Sequence, residues 1–104
     1  MSRNEKIAAY LGFSVKSGKI VYGYERVILG KKKVYLILCD VNLSGNSLKK
    51  VEEYAESSGV KCLSVEGLSD YFGEKRIKCV GLAEEHLASA TEKELLRSEV
   101  VTDE

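Results

Sequence analysis

Lys33-Val34-Tyr35-Leu36-Ile37-Leu38-Cys39-Asp40 decides the architecture of this chain. Its apolar run is nearly continuous instead of alternating, which marks a strand covered on both faces, as in a sheet flanked by helices. The residues that follow, Val41-Asn42-Leu43-Ser44-Gly45-Asn46-Ser47, are turn formers and place a helix cap at Asn46 or Ser47.

Downstream, residues 48–58 set Leu48, Val51, Tyr54 and Ala55 on one helical face, and Gly59 ends that helix. A strand is expected over 60–65. A short helix over 67–72 follows, with Leu68, Tyr71 and Phe72 inward and Gly73 as its stop. A last strand covers 77–83, and a closing helix covers 84–96 with Leu87, Ala88, Thr91 and Leu95 on one stripe. Glu84 and Glu85 at its start suit the helix dipole.

Upstream, residues 4–11 carry Ile7, Ala8 and Leu11 at helical spacing, with Asn4 as cap and Gly12 as stop. Ser17-Gly18 marks a turn, Ile20-Val21-Tyr22 a very short strand, and residues 24–29 a short helix ended by Gly30. Helices and strands therefore alternate. This predicts an α/β fold, a three-layer α/β/α sandwich with a small mixed sheet of about four strands. One domain is expected over residues 1–96, with a polar, frayed tail over 97–104.

Composition narrows the function classes. The 104 residues carry 16 basic and 16 acidic side chains, so no overall basic excess argues for nucleic acid. The charges are unevenly placed, however. Cations gather at 16–33 and 75–78; acids lie near 52–56, at 84–94 and in the tail. No stretch approaches the roughly 20 apolar residues of a membrane span, and no signal-type run follows the N-terminus, so a cytoplasmic protein is expected. Cys39, Cys62 and Cys79 lie too far apart in sequence for a paired motif, and each sits in an apolar run. They read as reduced, small core residues, and no metal or cofactor is expected.

A search for catalytic groups gives little. His86 is the single histidine; GxSxG, GxxxxGK[ST] and GxGxxG strings are absent; adjacent carboxylates such as Glu52-Glu53 diverge on a helix. No enzyme is expected. Anion contacts fare better. Lys16-Ser17-Gly18-Lys19 joins two cations to a tight turn, Gly23 opens the helix carrying Tyr24, Glu25 and Arg26, and Lys75, Arg76 and Lys78 form a second basic group.

Four segments together resemble the kink-turn RNA-binding ribosomal protein family, of the L-seven-Ae and L-thirty-e type, closest to its YlxQ-like bacterial branch. They are Leu11-Gly12-Phe13-Ser14-Val15-Lys16-Ser17-Gly18-Lys19-Ile20-Val21-Tyr22-Gly23, the 33–40 strand, Gly59-Val60-Lys61-Cys62-Leu63, and Cys79-Val80-Gly81-Leu82-Ala83-Glu84-Glu85-His86-Leu87-Ala88. The resemblance spans residues 5–92. It implies the same sandwich fold, kinked or structured RNA as the partner, a link to the ribosome or translation, and a monomer.

The family's G-x-N-E-x-x-K helix motif falls on Gly23, Tyr24, Glu25, Arg26 and, at the lysine position, Leu29. Its last contact loop falls on Lys75, Arg76 and Ile77. By that resemblance the expected RNA-binding residues are Lys16, Gly18, Lys19, Gly23, Tyr24, Glu25, Arg26, Lys75, Arg76 and Ile77. Here Tyr24 would add base stacking and Ile77 an apolar wedge. The stretch from Gly23 to Lys33 is about one helical turn shorter than in the family. The neutral charge and Leu29 keep a second reading open, the same fold acting as a protein-interaction module.

Overall fold

In the computed structural model, which describes residues 3–73 and 76–100, four strands form one sheet in the order β1-β4-β2-β3. The elements are α1 (Arg3–Lys16), β1 (Ile20–Tyr22), α2 (Tyr24–Leu29), β2 (Leu36–Asp40), α3 (Gly45–Ser58), β3 (Lys61–Val65), a single 3-10 turn (Leu68–Tyr71), β4 (Cys79–Leu82) and α4 (Glu85–Val100). β2 runs parallel to β3 and antiparallel to β4, and β1 runs antiparallel to β4, so the sheet is mixed.

Every residue of β2 is buried. That is the physical content of the uninterrupted apolar run: side chains on both faces of the strand meet helices. Leu36 and Leu38 face α1, α4 and the 3-10 turn, in a core with Ile7, Leu11, Val65, Leu68, Val80, Leu82, Ala88 and Leu95. Ile37 and Cys39 face α2 and α3, in a second core with Val27, Val34, Val51, Ala55 and Cys79. The molecule is a three-layer α/β/α sandwich.

Several boundaries differ from the sequence expectation. Gly12 does not stop the first helix. The buried face formed by Ile7 and Leu11 continues to Ser14, whose hydroxyl is satisfied by donating to the Tyr10 carbonyl at 3.0 Å. That burial outweighs the roughly 1 kcal/mol a mid-helix glycine costs. The helix ends at Lys16, and the turn at Ser17 and Gly18 follows, with Gly18 at a φ of +70°. The cap of α3 is Ser44, not Asn46 or Ser47; its hydroxyl accepts from the Ser47 amide at 3.2 Å. The expected short helix at 67–72 is a 3-10 turn.

Glu84 is the cap of α4 and not its first residue. Its carboxylate accepts from the Leu87 amide at 2.7 Å. That bond, foremost, holds the Glu84 carboxyl below its ordinary value. The last helix also continues to Val100, through Arg97, where a frayed tail was expected to begin. Residues 101–104 of that tail lie outside the described residues. Among the described residues no helix is long and apolar enough to cross a membrane.

At the end of β2, Asp40 accepts from the Asn42 amide at 2.8 Å and the Leu68 amide at 2.9 Å. One buried carboxylate thus fixes both the turn after β2 and the start of the 3-10 turn.

Candidate functional site

Gly23 joins the two halves of the expected site. Its amide donates to the Cys79 carbonyl at 2.8 Å, extending the β1–β4 ladder by one pair, while its carbonyl accepts from Val27 at the start of α2. Its φ of +90° lies where side chains are disfavoured, so glycine is the residue suited to turn the chain here from strand to helix. The ladder bond ties Gly23, which opens α2, to Cys79, the residue that follows the 76–78 segment. The Tyr22 and Phe72 rings stack edge-on with centroids 5.9 Å apart behind that junction.

The remaining expected residues fall into three groups. Glu25, Arg26 and Arg76 are exposed. Tyr24 and Ile77 are half-buried, Tyr24 against the α2/α3 core and Ile77 against the α1/α4 core. Their apolar surface is thus partly committed to the fold, which limits the stacking and wedge roles expected of them. Lys75 lies outside the described residues.

Lys16, Gly18 and Lys19 sit at the opposite end of β1, about 10 Å away for a three-residue strand. There the Lys19 carbonyl accepts from Ala83, and the Lys32 ammonium donates to the Gly18 carbonyl at 2.8 Å. Both groups border the same sheet edge, but the ladder bond ties only Gly23 to the segment that leads into β4.

Clefts lie on both sides of the sheet among the described residues. One is bounded by α1, β3 and the 3-10 turn; its walls include Glu5, Glu66 and Asp70, a sign that repels phosphate. The other runs along β1 between the strand and α2, and its charged side chains are Arg26, Lys31 and Lys32.

The structure also assembles a cluster that sequence spacing did not suggest. Cys39, Cys62 and Cys79 form a row across β3, β2 and β4 on the α2/α3 face. The Cys39 sulfur lies 3.5 Å from that of Cys62 and 3.9 Å from that of Cys79. The contact with Cys62 draws the Cys39 thiol down. The contact with Cys79, burial and the charges of Cys79 and Glu52 override it, pushing Cys39 up to about 12. Contact with Cys39, and then burial, raises Cys62 as well. Such thiols stay protonated and unreactive at neutral pH. Among the described residues, no group of three or more His, Cys, Asp or Glu is arranged to hold a metal ion. The signal that finds the row is strand parity combined with sheet order, and the order is not visible in the sequence.

Comparison with known proteins gives one kind of likeness. No family model and no curated protein matches the chain. Among solved structures, a protein of unknown function from Bacillus halodurans superposes with a TM-score of 0.80, over 86% of this chain and 96% of that one, at 16% identity. The likeness is one of fold.

Proposed function

We propose that this chain binds structured RNA of the kinked type, in association with the ribosome or translation, through the junction of residues 23–26 with residues 76–78. The observation that carries the reading is the Gly23–Cys79 ladder bond. It puts the segment resembling the family's helix motif beside the segment resembling its last contact loop, with Arg26 and Arg76 both exposed. Such a site reads RNA by shape and phosphate contact, and it needs local cations, not a basic molecule.

The test is titration of a kink-turn RNA at two salt concentrations. Micromolar binding that weakens steeply with salt is expected. Arg26→Ala with Arg76→Ala should weaken it and flatten the salt slope by roughly one unit per lost phosphate contact. Leu29→Lys, which restores the cation of the resembled motif on an exposed helical position, should tighten it. Undetectable binding at low salt overturns the proposal.

A further inference from the structure

Among the described residues β1 ends the sheet on one side, with β4 as its strand neighbour. Antiparallel ladders alternate between residues that bond to the partner and residues that turn their backbone groups away. Lys19 bonds to Ala83 and Gly23 to Cys79. Val21, midway between them and opposite Gly81, therefore also faces β4. Ile20 and Tyr22 turn their N–H and C=O groups to the open edge.

That edge is the floor of the cleft beside α2. One wall is Leu29, 63% exposed, and the rim is Arg26, Lys31 and Lys32, with no acidic residue in the lining among the described residues. The opposite edge strand, β3, is different. Its Lys61 pairs with Glu92 of α4 at 3.0 Å, and charged side chains of this kind discourage strand addition.

We propose that this groove takes an extended peptide segment with acidic side chains, added to the sheet as a fifth strand against β1. Backbone groups of Ile20 and Tyr22 would hold the segment, as in other strand-addition interfaces. An apolar side chain of the guest would cover Leu29, and its carboxylates would meet Arg26 and Lys31. The same charges disfavour a second copy of β1 as the guest, since its Arg26 and Lys31 would face their own kind. The Lys32 bond to the Gly18 carbonyl closes one end of the groove and limits the guest to a few residues.

The probe is an acetylated, amidated Glu-Val-Glu-Val-Glu peptide, followed by amide spectra of the isotope-labelled protein. A Lys-Val-Lys-Val-Lys peptide and a uridine oligonucleotide serve as competitors. The acidic peptide should shift the Ile20 and Tyr22 amides and slow their hydrogen exchange, and added salt should weaken it. Leu29→Asp, a change at an exposed position, should weaken binding by about tenfold or more while leaving the rest of the spectrum in place. Three results overturn the proposal: no shift at millimolar acidic peptide, equal binding of the basic peptide, or occupation of this edge by the oligonucleotide instead. The outcome is separate from the RNA reading. A protein that binds kink-turn RNA but ignores the acidic peptide sinks this inference alone, and the reverse pattern sinks the RNA reading alone.

Discussion

Towards α1 and α4 the sheet presents Leu36, Leu38, Val80 and Leu82, all buried. Towards α2 and α3 its two central strands present Ile37, Cys39, Cys79 and Gly81. The first face is filled by large aliphatic side chains. The second is filled by thiols and by a glycine that lets Val27 and Val34 close onto the backbone. Cores of the first kind fail by losing volume; cores of the second kind fail by gaining it.

The largest effect should come from the aliphatic face. Leu38→Ala removes a fully buried side chain and should cost about 2–5 kcal/mol in urea unfolding. Cys39→Ala, on the neighbouring position and opposite face, should cost less. Equal losses would break the contrast. Next comes the crowded face. A Cβ at Gly81 would lie 2.7 Å from Val34 Cγ1 and 3.3 Å from Val27 Cγ2. Gly81→Ala should therefore cost about 1–3 kcal/mol, and adding Val34→Ala should recover part of it.

Gly12 sharpens the point with the opposite sign. It lies inside α1, and a Cβ added there would meet nothing within 4 Å, so Gly12→Ala should raise stability by about 0.5–1 kcal/mol. The smallest effect near neutral pH belongs to the thiol row. Because folding raises the Cys39 pKa from 9.0 to about 12, the row's contribution is complete below pH 9. It should be lost as pH rises towards 12, since the unfolded chain ionises first. Unfolding midpoints should thus hold steady up to pH 9 and fall above it; a fall beginning near pH 7 would refute the assignment.

The sandwich was legible because its decisive signals are local. The unbroken 33–40 run, the stripe of Ala88, Thr91 and Leu95, and glycines at 30 and 59 each act within a few residues. Gly12 misled because the residues that overrule it, Ile7 and Ser14, act through tertiary burial. The candidate site was legible as segments but not as a surface. Whether Lys19 or Arg76 adjoins Gly23 depends on which strand β1 pairs with and in which direction, and no local pattern encodes that. The thiol row was hidden for the same reason.

The pairing of β1 with β4 also bears on how the chain is made. β1 emerges from the ribosome about 60 residues ahead of its partner, opposite at Val80, Gly81 and Leu82. β2 and β3 meet much sooner. The nascent chain should therefore hold Ile20–Tyr22 unpaired until β4 has emerged. This non-local closure slows folding and exposes a sticky strand while it lasts.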